Sequence, residues 1–201
     1  MKKILLVGAE AVPFASTGGL GDVMGSLPAA LATQGEEVDV RAVMPLYGSI
    51  SDNYRAQMTK VCEFTVHLSW RQQYCGVYEY RTNGVIYYFL DNEYYFKRPA
   101  LYGQYDDGER FAFFSHAVLD MLPFLQFFPD VLHANDWQTA LTVIYLRQKY
   151  SADPRFYNIK TVYTIHNIDY QGIYDFAILG DVFDLPESAR SCVEFDGCIN
   201  L

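Results

Sequence analysis

The sequence predicts an α/β fold, a Rossmann-like three-layer domain with a mainly parallel sheet and an inserted β-hairpin or meander. Three observations predict it. Short apolar β-runs alternate with stretches of helical apolar spacing towards both ends of the chain, a pattern that builds β-α-β units and parallel sheets. Between them, residues 61–91 switch to one strand-like segment after another. Finally, polar or glycine-rich loops follow directly on three apolar runs, where an open parallel sheet places its ligands. With 201 residues, 51% of them hydrophobic, the chain can bury a core of ordinary size.

The first strand is the apolar run at residues 4–7. It is only about six residues long, counting its flanks, and Glu10 follows without a small-residue cleavage pattern, so a buried strand fits better than a signal peptide. Val23, Leu27, Ala30 and Leu31 repeat at helical spacing and predict a helix over 20–34, starting between Gly19 and Asp22. Pro28 lies inside it, removes one backbone donor and favours a kink. "EVDVRAVMP" (37–45) reads as a second strand closed by Pro45. "VCEFTVHLSW", "YCGVYEYRT" and "VIYYFLDN" read as three further strands, and Asn83-Gly84 supplies a hairpin turn between the last two. A helix over 109–124, a strand over 130–134, a helix over 137–149 and a strand over 159–167 complete the alternation. No repeat, low-complexity tract or linker interrupts it, and "EFDGCINL" ends without a polar tail, so a chain cut short is expected.

The net charge of −9 argues against nucleic acid or an anionic membrane surface as partner, because both select for basic patches. No apolar run approaches the roughly 20 residues that span a bilayer. Cys62, Cys75, Cys192 and Cys198 have no C-x-x-C spacing, which points to reduced thiols in the cytoplasm.

Three loops carry the candidate chemistry: "FASTGGLGD" after the first strand, "HANDWQ" near 135 and "HNIDYQG" near 168. Glycines at a strand-to-helix turn let a ligand approach the backbone, and a helix N-terminus offers free N–H groups to an anion such as a phosphate. "GGLG" matches neither the dinucleotide fingerprint nor the P-loop, so a plain helix-start turn stays open beside the anion-binding reading. Asp136 is placed either to cap the helix at "WQTAL" or to meet a sugar hydroxyl. His133 and His166 suit acid/base work, a satisfied strand end or metal ligation, but no local spacing favours a metal, and we expect none. His67 and His116 read as ordinary strand and helix residues. The dense aromatic run over 78–103 suits packing across a sheet or contact with sugar C–H faces, with Tyr102, in the loop after its strands, the more interesting member.

Taken together, the loops resemble one family. "PFASTGGLGDVMGSLPAAL" is similar to the K-T-G-G-L-G/A-D-V motif of bacterial glycogen synthases and plant starch synthases, which build α-1,4-glucan from ADP-glucose. "YFLDNEYYFKRPALYG", "DGERFAFFSHAVLDML", "DVLHANDWQTAL" and "VYTIHNIDYQGIY" follow that family's order and spacing, from residue 3 to about 200. The resemblance implies a GT-B enzyme in which two Rossmann-like domains face across a cleft and glucose is transferred with retention, without a cofactor or metal. Residues 1–201 resemble the N-terminal, acceptor-side domain; the C-terminal domain, with most nucleotide contacts and a catalytic Glu, is implied as the missing partner, and the isolated domain is expected to be inactive.

Residue by residue, the resemblance implies donor contacts at Ser16, Thr17, Gly18, Gly19, Asp22 and Asn167, catalytic sugar-facing groups at Asp136 and His166, and acceptor contact at Tyr102. One position departs from the motif: the family's Lys before Thr-Gly-Gly is Ser16 here, which takes a cation from the diphosphate. That leaves the choice between ADP-glucose and UDP-glucose open, and keeps in play a non-catalytic carbohydrate-binding or regulatory relative. A nicotinamide-dependent dehydrogenase is disfavoured, since no G-x-G-x-x-G turn precedes the second strand.

Overall fold

A seven-stranded sheet organises the computed structural model, which describes residues 1–34 and 38–201. In chain order its strands are β1 (Lys2–Val7), β2 (Val38–Pro45), β3 (Thr59–Leu68), β4 (Arg71–Thr82), β5 (Val85–Asp91), β6 (Val131–Asn135) and β7 (Lys160–Thr164). They lie side by side as β3-β4-β5-β2-β1-β6-β7. The five strands from β5 to β7 pair in parallel, while β3, β4 and β5 pair antiparallel. The expected meander is therefore no separate layer: β5 is both its last strand and a member of the parallel sheet, so β3 and β4 simply extend that sheet.

Helix α1 (Gly19–Ala32) connects β1 to β2, α4 (Asp107–Leu125) connects β5 to β6, and α5 (Trp137–Gln148) connects β6 to β7. Short helices α2 (Asp52–Arg55) and α3 (Glu93–Phe96) sit in the loops after β2 and β5. The first crossover runs one way across the sheet and the later two run the other way. Right-handed connections then put α1 on one face and α4 with α5 on the opposite face, giving three layers. A strand covered on both faces can be apolar throughout, and Leu5, Leu6 and Val7 of central β1 are fully buried. Helix α4 buries Phe111, Phe113, Phe114, Val118 and Leu119 around most of its circumference, as a helix packed on several sides should.

Local chemistry sets the turns. Asn83 (φ 51°) and Gly84 (φ 75°) join Thr82 to Val85 in the left-handed conformation that a two-residue hairpin of this twist requires, as the Asn-Gly pair predicts. Asp196 (φ 51°) and Gly197 (φ 78°) do the same in a small antiparallel sheet of β8 (Ile173–Tyr174), β9 (Glu194–Phe195) and β10 (Cys198–Asn200), which no periodicity announced. A short helix, α6 (Ile178–Asp181), separates β8 from β9.

Element ends shift by a few residues from the expected ones. The second strand begins at Val38; Glu37, with which its expected range opens, lies outside the described residues. The last large strand stops at Thr164, leaving His166 and Asn167 in a loop instead of in the strand expected to run to 167. Helix α1 runs unbroken through Pro28. The Met24 carbonyl, which a residue with an N–H would have bonded, instead faces the Tyr87 hydroxyl at 3.5 Å. Among the described residues, no helix is long and apolar enough to cross a membrane.

Candidate functional site

Strand order reverses between β1 and β6, because the chain leaves β1 towards β2 on one side and returns to β6 on the other. Such a switch point opens a crevice beyond the C-terminal ends of the two strands. The register pairs Val7 with Ala134 and Asn135 with Thr164, so the loops after β1, β6 and β7 all emerge there. These are the three loops singled out by sequence.

The loop after β1 is folded against α1. Ala11 and Ala15 bridge each other, and the Val12 amide donates to the Gly21 carbonyl at 3.0 Å. Phe14 anchors the loop in a cage of Tyr54, Tyr80, Tyr87 and Phe89, with ring centroids 4.9–5.5 Å away in edge-to-face contact. A Cβ at Gly21 would sit 2.5 Å from Ser16 Cβ, and one at Gly25 would sit 2.6 Å from the Val12 carbonyl oxygen. These two glycines, one turn apart on α1, form a notch for the loop.

At Gly18 and Gly19, by contrast, a Cβ would meet nothing within 4 Å. Gly18 precedes the first turn of α1 and makes no side-chain cap, so the helix N-terminus faces open space with its amides exposed. The glycines thus divide: Gly21 is bare for the chain's own packing, while Gly18 and Gly19 leave room that the chain does not use. Exposed Ser16 donates its hydroxyl to the Gly18 carbonyl at 3.2 Å. Thr17 donates its amide to the buried carboxylate of Glu10, and its hydroxyl lies 3.3 Å from the same group. Asp22 is exposed in the first turn of α1.

The second loop is built around Asp136. Its φ of 59° with ψ of 172° falls in a region that residues other than glycine rarely occupy, at a cost of roughly 1–3 kcal/mol. The expected helix cap does not form: Asp136 occupies the cap position of α5, yet its carboxylate makes no cap bond. Instead Oδ1 accepts the His166 amide at 2.6 Å, while the Asp136 amide donates to the Thr164 carbonyl at 2.9 Å. The strained residue staples the start of α5 to the end of β7.

The His166 ring is held as well. Asn135 spends its Nδ2 on the carbonyls of Val7 and His133, each at 3.1 Å, so its Oδ1 accepts from His166 Nε2 at 2.9 Å. That leaves Nδ1 of exposed His166 as the free ring nitrogen. Neighbouring His133 bonds the Thr164 hydroxyl at 2.8 Å, and burial, with a smaller effect of His166, holds its pKa below the ordinary 6.5.

Asp136 and Asn167 line a hollow of about 380 Å³ together with Trp137, Tyr163, Ile165 and Tyr170. Burial, helped by the Asp136 carboxylate, pushes the Tyr163 phenol up to about 12. Tyr102 joins this hollow indirectly: its ring packs 6.1 Å from Tyr170, which lies the same distance from Trp137. Most of the aromatic run is ordinary packing, with Tyr87, Tyr88, Tyr95 and Phe96 buried in the core. His67 is an exposed strand residue, and His116 is tied to Asp120 and Tyr150. Sequence reasoning gave Glu10 no site role and marked Asn135 only as a polar group of the second loop; these buried residues hold Thr17 and His166.

A Rossmann-like crevice thus lies between the bare N-terminus of α1 and a largely apolar, aromatic-lined hollow, the arrangement of an α/β domain that binds its ligand at a switch point. The family model for the starch synthase catalytic domain matches residues 3–201, and the chain belongs to that family. It is 48% identical over 200 residues to a glycogen synthase of Geobacillus thermodenitrificans, covering 98% of this chain and 41% of the relative. With a glycogen synthase of Clostridium novyi the identity is 53% over 180 residues, 89% of this chain and 37% of that one. Among solved structures, the catalytic domain of starch synthase IV from Arabidopsis thaliana, bound to ADP and acarbose, superposes with a TM-score of 0.79 at 26% identity, covering 90% of this chain and 37% of that one. The chain thus spans about two-fifths of the length of these relatives.

Proposed function

We propose that residues 1–201 belong to the N-terminal, acceptor-side domain of a cytoplasmic, retaining glucosyltransferase that lengthens α-1,4-glucan from ADP-glucose. A second, nucleotide-binding domain of the same polypeptide forms the opposite wall of the cleft. The observation that carries this reading is the unfilled space over Gly18 and Gly19, one switch point away from the hollow at Asp136. The first suits a diphosphate and the second suits the hydroxyls and C–H faces of glucose units. The ADP and acarbose on the Arabidopsis relative support the same two ligand classes.

In this reading Ser16, Thr17, Gly18, Gly19, Asp22 and Asn167 face the donor, and Tyr102 faces the acceptor. Asp136 and the free Nδ1 of His166 meet the sugar that is transferred. The transition state is an oxocarbenium-like glucosyl with a departing diphosphate, so these groups act by positioning and by stabilising charge.

The full-length protein is expected to transfer glucose from ADP-glucose to maltooligosaccharides, and Ser16→Lys is expected to lower the donor KM by several-fold, since charge-assisted contacts are about twice as strong as neutral ones. Absence of transfer from both ADP-glucose and UDP-glucose would sink the enzymatic reading. Ser16 favours the alternative, a non-catalytic carbohydrate-binding or regulatory relative, which would bind maltooligosaccharide without transferring glucose.

A further inference from the structure

We propose that Glu10 is a positioning residue: one buried carboxylate that fixes the loop presenting Thr17, Gly18 and Gly19. The proposal rests on the functional reading above and adds a group that the family motif does not contain.

Glu10 lies three residues past β1 and is only 4% exposed. Among the described residues, it has no ion-pair partner, although a buried carboxylate without a cation is costly. It is stabilised by Thr17 instead, whose amide donates to Oε2 and whose hydroxyl lies 3.4 Å from Oε1 and 3.3 Å from Oε2. Thr17 immediately precedes Gly18, the residue before α1, so the direction in which the open amides point is set by where Glu10 holds Thr17.

Among the described residues, the hydroxyls of Tyr47 and Tyr102 and Nη2 of Arg110 have no hydrogen-bond partner. The backbone on both flanks of Tyr102 is held. The Leu101 carbonyl accepts from Arg110 at 3.1 Å, and the Gly103 amide donates to Asp107 at 2.7 Å. Arg110 is itself fully buried and locked to the Tyr95 carbonyl at 2.7 Å. Burial drives the Tyr102 phenol far up, and the nearby Tyr47 and Glu10 add to it, which puts the carboxylate within electrostatic reach of the ring. Two of these donors, the Tyr47 and Tyr102 hydroxyls, therefore lie within electrostatic reach of the carboxylate. Motion of Glu10 would disturb the donor loop, because Thr17 is bonded to it.

The test separates geometry from charge. Glu10→Gln keeps an acceptor oxygen at the right distance without the charge, whereas Glu10→Asp keeps the charge and retracts it by about 1.5 Å, one carbon–carbon bond. In the full-length protein, Glu10→Asp is expected to raise the donor KM about tenfold or more and to lower kcat, since misplacement near 1 Å can cost up to about 100-fold. Glu10→Gln is expected to stay within about threefold of wild type, because the main bond it must accept comes from a neutral amide. Val66→Ala, a buried change in β3 remote from the crevice, is expected to lower Tm while leaving the donor KM unchanged. The reverse order, with Asp mild and Gln severe, would overturn the proposal, as would an Asp effect no larger than that of Val66→Ala at matched Tm. Hydrogen exchange across residues 14–22 gives a reading without turnover: exchange should quicken in Glu10→Asp and not in Glu10→Gln. If wild type transfers no glucose, the functional reading fails, and the exchange result still decides whether Glu10 holds the loop.

Discussion

Gly18 and Gly21 stand three residues apart in one motif, yet the structure gives them opposite reasons to be glycine. At Gly21 an added methyl meets Ser16 Cβ at 2.5 Å, which something must relieve; at Gly18 it meets nothing. Gly21→Ala is therefore expected to destabilise the chain by about 1–3 kcal/mol, the usual cost of overpacking, in spite of the better helix propensity of alanine. Gly18→Ala is expected to leave stability within about 0.5 kcal/mol, as for a surface change, while raising the donor KM of the full-length protein. Urea unfolding and donor kinetics on the two variants check this, and equal stability losses would refute the division. The motif alone could not have separated the two positions, because the obstacle at Gly21 is the side chain of Ser16, folded back from five residues earlier.

Strands β6 and β7 are joined at their C-terminal ends by a side chain that answers to pH. His133 on β6 is half-buried against Thr164, and its pKa lies below the ordinary 6.5. A histidine depressed in the folded state is more easily protonated when unfolded, so its contribution is present above pH 6.5 and lost as the pH falls through the depressed folded value. The urea midpoint is expected to drop between pH 7 and about 5.5, above the carboxylate range, and His133→Gln is expected to flatten that drop. An unchanged slope in the variant would assign the effect elsewhere.

This same junction shows what sequence could and could not disclose. Alternating β-runs and helical spacing placed the parallel core and all three loops, because burial on both faces leaves its mark on composition, as at Leu5 to Val7. Asp136 was visible as a polar residue at a helix start, and the cap was the natural local reading. What overrode it was an amide thirty residues away, on His166, which no local pattern announces. The holding roles of Glu10 and Asn135 escaped for a related reason: each is a single polar residue beside an apolar strand, and its meaning lies in the partner it meets after folding. A buried acid placed directly before a glycine loop was the one available signal.

Charge across the whole chain bears on whether it can hold a nucleotide sugar unaided. The net charge is −9, and the residues shaping the loop at α1 include two carboxylates, Glu10 and Asp22, with no lysine or arginine among Glu10, Ser16, Thr17 and Asp22. The attractive elements there are the N-terminal amides of α1, worth about 0.3–1 kcal/mol towards an anion at an exposed site. That is far short of the roughly 8 kcal/mol behind a micromolar Kd. In the proposed reading the cations for the diphosphate come from the second domain, and residues 1–201 alone are expected to transfer no glucose and to bind ADP-glucose with a Kd weaker than about 1 mM by calorimetry. Ser16→Lys places one cation beside the open amides. It is expected to tighten that Kd by several-fold at low salt and by less at about 0.15 M, where the screening length falls to about 8 Å. Micromolar binding by the unaltered chain would mean that the helix N-terminus and the hollow at Asp136 already form a complete donor site, and the opposite wall would then be needed for catalysis alone.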